Sequence, residues 1–560
     1  MKCFRYPAGV AAVALAAVCI AQRPSVDSPQ LRVSQTTRFL ASDDLEGRGV
    51  GTRGIELAAQ FIAQRFAEIG LEDLAPSPGG PFDYFEIVTD TRLGEANTLV
   101  FSGPQGDRQA ARVDADYRPL AIGGTGEIDL PIAFAGYGIT AQEADYDDYA
   151  GLNAAGKAVV LLRHEPRQDD PQSPLNGADD SVHAPFLKKA ALAQQQGAAA
   201  VIFTTDPHEA KKRVEQWDQR IAKLDAEIEA SRSADAARGA PTRLLRRRQQ
   251  YESRRAEELD PLLDFTRAGE AAGCDIPLLY VRPSVIDQWL DAALPPNAQP
   301  RTLRALEALI DATGRPLSFE LPGSRIAGRV AIDRETSRAA NVLGRLRGAG
   351  PHADEVIVVG AHYDHVGLGG QGSKAPGSRA IHNGADDNAS GIAALLEVAR
   401  TLAERPQPPP RTIVFAAFAG EERGLLGSAD YVADPPVPLE RTVAMLNFDM
   451  VGRLRDNKLI VNGTASARQF DGWIDAANTR VGLDIAKIPD ALGPSDHASF
   501  ARQRVPVLHL FTGFHDEYHR PDDDFPLLNI EGIVRVAALA VGLVDEIAAA
   551  ERPEFQEVDK

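Results

Sequence analysis

The apolar residues of this chain change rhythm along its length, and the changes divide it. Leu57, Phe61, Ile62, Phe66 and Ile69 fall at helical spacing. Residues 34–74 therefore read as helix, loop, helix, with the loop Asp43-Asp44-Leu45-Glu46-Gly47-Arg48-Gly49-Val50-Gly51-Thr52-Arg53-Gly54 turning sharply at its glycines. From about residue 132 the rhythm becomes short β-rich runs: 132–137, 158–162, 198–203 and, after an interruption, 276–281. Residues 127–321 read as a separate β-rich domain. The interruption, 208–260, is highly charged, and Val214, Trp217, Ile221, Leu224 and Ile228 alternate three and four apart as in a heptad seam. Loop-like residues 231–241 and a basic stretch (Arg243, Arg246, Arg247, Arg248) follow. The pattern predicts a helical hairpin projecting from the β domain. Charge runs usually mark solvated faces; a protein-docking or oligomer-contact arm is the alternative.

After residue 341 strands and helices alternate. Strands are expected at 356–360, 412–418, 444–448, 459–461 and 505–511, and helices at 390–404, from 425, and at 530–550. Alternation of this kind predicts an α/β fold, a mixed and mostly parallel sheet with helices on both faces. The expected order is residues 30–126 as the first part of this domain, 127–321 as the β-rich insertion, and 322–552 as the remainder. A chain of 560 residues needs more than one core.

The composition is that of a soluble globular protein, 44% hydrophobic and 25% charged, and the formal net charge of −19 argues against nucleic acid or an anionic membrane as partner. At the N-terminus, Lys2 and Arg5 precede an unbroken apolar run over 8–20, with small residues near Ala21. That is the build of a signal peptide over residues 1–21, and the run is shorter than the ~20 residues of a membrane-spanning helix. It implies a secreted or periplasmic protein with no membrane span after cleavage, an uncleaved anchor being the alternative. Cys3 and Cys19 lie in that leader, so Cys274 is left alone and no intrachain disulfide can form in the mature chain.

In open α/β sheets ligands bind beyond the carboxyl ends of the strands, and there the expected strands run into polar residues. They run into Ala361-His362-Tyr363-Asp364-His365, into Glu421-Glu422 and into Asp449; Gly384-Ala385-Asp386-Asp387-Asn388 precedes a helix, and Tyr518-His519 follows the last strand. Glu421 and Glu422 are adjacent carboxylates that repel one another unless positive charge lies beside them. Two His and three carboxylates suit zinc. One carboxylate too many for a single structural site points to two metals sharing a bridging ligand, typically ~3.5–4 Å apart.

The motifs Gly360-Ala361-His362-Tyr363-Asp364, Asn383-Gly384-Ala385-Asp386-Asp387-Asn388-Ala389-Ser390-Gly391, Glu421-Glu422, Asn447-Phe448-Asp449-Met450, Ser495-Asp496-His497 and Tyr518-His519 resemble, in order, those of the co-catalytic zinc peptidases of metallopeptidase family 28. That family includes leucyl aminopeptidases and glutamate carboxypeptidase II. The segment 40–54 resembles its Leu-Glu-Gly-Arg signature. Phe134-Ala135-Gly136-Tyr137-Gly138 and Asp147-Asp148-Tyr149 resemble the protease-associated (PA) domain that these enzymes often carry, the hairpin being a departure from its pattern. The resemblance implies two Zn2+ ions, with Asp386 as the bridging ligand, His362 and Asp449 completing one site and Glu422 and His519 the other. It implies Glu421 as general base, Asp364 holding the second ring nitrogen of His362, Tyr518 donating to the oxyanion, and a cis peptide after Asp386. Carboxylate-rich sites also accept manganese or cobalt.

The implied function is an exported peptidase acting on peptide substrates, an aminopeptidase releasing N-terminal residues. A carboxypeptidase- or dipeptidase-like enzyme is the alternative, with Arg453 meeting an acidic substrate end. A non-catalytic receptor and a glutaminyl cyclase are further alternatives, against which the complete ligand set weighs. His365 and His382 match no ligand position and read as loop residues. His497 reads as a structural residue at a helix start capped by Ser495 or Asp496, His509 as a satisfied core residue, and His515 as a residue near the cleft.

Overall fold

The computed structural model describes residues 28–74, 80–175, 177, 179–234, 242–266, 273–370 and 372–557. The leader reading over 1–21, with the export it implies, lies outside them. No helix among the described residues is long and apolar enough to cross a membrane. The chain forms two compact units, one drawn from the chain up to Ile87 and from Ser337 onward, the other Val88–Thr336.

The first unit is built on a nine-stranded mixed sheet. Its centre is parallel: Thr412–Phe418, Val356–His362, Thr442–Phe448 and Val507–Phe511 lie side by side. Antiparallel neighbours flank that centre, Ile332–Leu346 beside Thr412–Phe418 and Lys458–Asn462 beside Val507–Phe511. The central strands read as unbroken apolar runs because both faces are covered. Ile357, Val359 and Ala361 pack with the helices Gly391–Ala403 and Ile530–Ala549, while Val356 and Val358 pack with Tyr431 and Phe500 on the opposite face. Side chains alternating along each strand feed two cores at once. The mixed α/β class is as expected. The long strand Ile332–Leu346 has no signal in the sequence, because Asp333, Arg334, Glu335 and Arg338 interrupt its apolar pattern.

The second unit carries an eight-stranded sheet. Thr98–Ser102, Arg108–Ala111 and Tyr117–Pro119 belong to it, so this unit begins at Val88 rather than near residue 127. Gly126–Ala135, Ala158–Leu162, Ala200–Thr204 and Leu278–Val281 form a parallel run within it. The helices Phe186–Gln195, Pro283–Ala293 and Leu303–Thr313 make the unit α/β in character. Two helices, Pro207–Ala234 and Thr242–Leu259, occupy the charged stretch. Leu224 and Ile228 of the apolar seam are buried, and Trp217 packs on Tyr251 at 5.3 Å. Arg248 and Arg255 pair with Asp225 and Asp218 of the facing helix. Part of the charge of this hairpin is therefore used between its own helices, as on a solvated face.

Candidate metal centre

The polar residues at the carboxyl ends of the parallel strands converge. His362 Nε2 lies 3.2 Å from Asp387 Oδ1 and 3.4 Å from Asp449 Oδ1. His519 Nε2 lies 3.1 Å from Asp387 Oδ2 and 3.1 Å from Glu422 Oε2. Ligand atoms ~2.0–2.2 Å from a tetrahedral zinc stand about 3.3–3.6 Å apart, and these separations lie at or just under that spacing. His362, Glu421 and Asp449 form one ligand-type group, and His365, Asp387, Glu422 and His519 another.

The Asp-Asp pair requires a correction of one residue. Asp387, not Asp386, turns its two oxygens toward the two imidazoles. Asp386 faces away: its Oδ1 accepts from the Gly452 amide at 2.6 Å and from Ser390 Oγ at 3.0 Å, and its Oδ2 lies 3.3 Å from His515 Nε2. The Gly452 backbone reaches this close because it has no side chain; a Cβ there would stand 2.8 Å from Asp386 Oδ1 and 2.6 Å from Leu528. The cis peptide likewise follows Asp387, not Asp386. Asp386 thus anchors the loop whose next residue serves the site. Asp523 Oδ2 takes the amide protons of both Asp386 and Asp387 (2.9 and 3.1 Å), and Asp523 Oδ1 takes one from Arg453 at 3.0 Å. Arg453 is buried in this pairing, which accounts for its charge without a substrate carboxylate.

Each imidazole has its other nitrogen occupied. His519 Nδ1 lies 2.7 Å from the Gly372 carbonyl and His362 Nδ1 lies 3.3 Å from the Asp364 carbonyl. An Nδ1–H donated to a carbonyl leaves Nε2 with a free lone pair. The carboxylate of Asp364 stands 3.8 Å from His362 Nδ1 and mainly does something else. It accepts the Glu421 amide at 3.2 Å and the Glu422 amide at 3.3 Å, fixing the turn that presents both glutamates. Burial pushes the Asp364 carboxyl up to about 6. Burial first, then the surrounding carboxylates, hold the Glu421 carboxyl well above its ordinary value. Against the effect of burial, the neighbouring carboxylates hold the His362 and His519 imidazoles above their ordinary values.

Tyr518 lines the same pocket as Glu421 and Asp449. Its ring packs on His519 and Phe514, with Lys374 Nζ 4.0 Å from the ring centroid. Burial raises its hydroxyl, which stays protonated and able to donate.

Two residues that sequence reasoning left aside are also at work. His365 Nδ1 lies 2.7 Å from Glu422 Oε1, shorter than the ligand-to-ligand separations and typical of a hydrogen bond. It occupies one oxygen of Glu422 and leaves Oε2 to face His519. Arg48 is wholly buried and donates to the carbonyls of Tyr363 (2.8 Å), Asn383 (2.7 Å), Gly384 (2.9 Å) and Leu40. The loop of residues 43–54 thereby ties together the chain just after His362 and just before Asp387. Of the other histidines, His382 bonds Ser373 and the Ala380 carbonyl within its loop. Asp496 precedes the helix His497–Arg502 but makes no capping bond, and Ser495 Oγ accepts from Asn447 instead. His509 is not a satisfied core residue: it lines the pocket, and its Nε2 has no hydrogen-bonding partner.

Fold and site together define an α/β protein with a cluster of carboxylates and imidazoles that could hold metal at the carboxyl edge of a parallel sheet. Residues 341–544 match the model of Peptidase family M28. The aminopeptidase YwaD of Bacillus subtilis (strain 168) is 28% identical over 233 residues, 40% of this chain and 47% of that protein. A probable leucine aminopeptidase of Arthroderma otae is 32% identical over 212 residues, 35% of this chain and 56% of its own. The chain spans about half the length of the curated relatives it matches. Among solved structures, an aminopeptidase from Aneurinibacillus sp. strain AM-1 is 19% identical over 95% of this chain and 96% of its own, with a TM-score of 0.46.

Proposed function

We propose that this protein is a two-zinc aminopeptidase that removes N-terminal residues from peptides and acts outside the cytoplasm. The observation that carries the reading is the Asp387 carboxylate between two imidazoles, one oxygen toward each. One cation would be held by His362, Asp449 and Asp387, the other by His519, Glu422 and Asp387. Nitrogen and oxygen donors suit zinc, and such a carboxylate-rich set accepts manganese or cobalt as well. When bound, the two cations would offset the carboxylate charge, polarise the scissile carbonyl and make water nucleophilic near neutral pH.

The remaining work belongs to the chain's own residues. Glu421 lines the same pocket as Asp387 and Asp449 and is the group that takes a proton from the attacking water and returns it to the leaving amine. Asp364 positions it through its amide. Tyr518 donates its hydroxyl proton to the developing oxyanion. The relatives named aminopeptidases support this reading over the carboxypeptidase- and dipeptidase-like alternatives. The leader-like pattern of residues 1–21 supports export.

The segment 127–321, which lies within the unit Val88–Thr336, is proposed to be of the PA type. In support, the two motifs that suggested it meet: Asp148 Oδ2 accepts the amides of Tyr137 and Ile139 at 3.0 and 3.1 Å.

The test is hydrolysis of aminoacyl amides by the full chain, before and after chelation, and in Glu421→Gln. Chelation should abolish turnover and zinc restore it. The variant should keep its metal and lose roughly 10²–10⁴-fold in kcat, the usual contribution of a general base. Full turnover by the chelated protein or by the variant would refute the mechanism.

A further inference from the structure

The pocket beside the metal centre has a volume of about 210 Å3. Glu421, Asp449 and His519 form its catalytic side; Met450, Phe511 and Phe514 line it with apolar surface. Two further lining residues are polar, Asn462 and His509. They are cross-strand partners in the antiparallel pair Lys458–Asn462 and Val507–Phe511, so their side chains share one face of the sheet. Phe511, two residues beyond His509, shares that face.

Asn462 Nδ2 lies 3.2 Å from His509 Nδ1. With the amide donating, His509 Nδ1 is the acceptor and the ring proton sits on Nε2. That Nε2 is buried and has no partner. Behind it, His497 stacks on His509 with centroids 4.5 Å apart, and both His497 nitrogens are likewise buried without partners. Gly493, also in the lining, stands next to this second ring: a Cβ there would lie 3.2 Å from His497 Nε2. A buried donor left unpaired is costly, so a pocket meant only for an aliphatic side chain has no use for such a wall. A ligand atom that accepts a hydrogen bond would remove the cost. An anionic side chain would meet Glu421, which is assigned no cation, in the same cavity, so the acceptor is uncharged.

On the aminopeptidase reading, we infer that this pocket receives the side chain of the released residue, and that His509 and Asn462 select a carboxamide, asparagine or glutamine, over an aliphatic side chain of similar size. The hydrogen bond would run from His509 Nε2 to the side-chain carbonyl oxygen, with Met450 and Phe511 holding the methylenes. A site that hydrogen-bonds its substrate discriminates strongly against the analogue lacking the group.

The experiment compares kcat/KM of the zinc-loaded full chain on the p-nitroanilides of asparagine and leucine, which are close in shape, of glutamine and methionine, and of aspartate. The amide member of each matched pair is expected to lead by at least roughly tenfold. In His509→Phe and Asn462→Leu the asparagine-to-leucine ratio should fall at least roughly tenfold. Leucine or aspartate ahead of asparagine in the unsubstituted enzyme would overturn the pocket assignment while leaving the aminopeptidase reading intact. An unchanged ratio in folded, zinc-loaded variants would overturn it too. No hydrolysis of any of these substrates would overturn the aminopeptidase reading and the assignment together.

Discussion

Both units of this chain place polar residues at the ends of parallel strands, and they treat them in opposite ways. In the second unit the acids and bases satisfy one another. His164 Nδ1 meets Asp206 Oδ2 at 2.6 Å, and Asp206 Oδ1 takes the Glu209 amide. Glu165 accepts from the amide and hydroxyl of Ser181. Buried Lys189 donates to the carbonyls of Tyr137, Leu162 and His164. In the first unit, Asp387, Glu422, Asp449 and Glu421 crowd beside the imidazoles at ligand spacing, and their backbone anchors come from elsewhere, from Asp364, Asp386 and Asp523. Strand ends rich in charge are therefore not enough to mark a metal site. The mark is several carboxylates and imidazoles held by their surroundings at 3.1–3.4 Å from one another, wider than the 2.6 Å of His164 and Asp206.

The contrast can be broken most directly at Asp387. Asp387→Asn should lower both zinc content and aminoacyl-amide hydrolysis by at least roughly 10³-fold, a loss of several kcal/mol of charge stabilisation; metal analysis with kinetics reads it. Next is His365, which should matter through Glu422. His365→Ala should weaken zinc binding about 10–100-fold, as partners of metal ligands commonly do, measured by competition with a chelator. An unchanged affinity would leave His365 without the positioning role given to it here. Lys189→Met in the second unit should cost about 1–3 kcal/mol in urea unfolding of that unit, from carbonyls stripped of their donor, with zinc content unaltered.

The last effect is read through pH rather than through zinc and is expected at Asp148. Its carboxyl is pushed up to about 7 by burial, above about 3.9 in an unfolded chain. Between those values the native state holds a proton that the unfolded state has released. The stability this group contributes is therefore full below about pH 4 and is lost as pH rises toward 7. Asp148→Asn keeps an oxygen for the Tyr137 and Ile139 amides and an NH2 group for the Tyr146 oxygen, which now donates to Asp148 at 2.9 Å. Unfolding curves at pH 4.5 and 7 should thus differ less in the variant than in the parent.

Much of this was legible in the sequence, for identifiable reasons. The central strands bury both faces, so they show as apolar runs, and the residues that end them are the site residues. Ile332–Leu346 was hidden because its first half is charged. The boundary at Val88 was hidden because Thr98–Ser102 and Arg108–Ala111 are short, and because the strand that joins this pair to the rest of the sheet, Ser318–Val330, lies more than two hundred positions away. Within the site, His362 ends the strand Val356–His362, Asp449 follows Thr442–Phe448 directly, and Glu422 and His519 lie in the turns beyond Thr412–Phe418 and Val507–Phe511. Asp386 and Asp387 sit in a loop, where only the backbone path decides which carboxylate points inward. Arg48 carries a signal in the Leu-Glu-Gly-Arg motif, but its burial against three loop carbonyls appears only in three dimensions. His365 differs from a loop residue by nothing but a 2.7 Å contact.

The central claim is that one carboxylate, that of Asp387, is shared between two cations. Anomalous diffraction at the zinc edge, from crystals of the zinc-loaded full chain, tests it most directly. The account predicts two peaks, one bounded by His362, Asp449 and Asp387 and the other by His519, Glu422 and Asp387. A single peak, or zinc bound through Asp386, would contradict it.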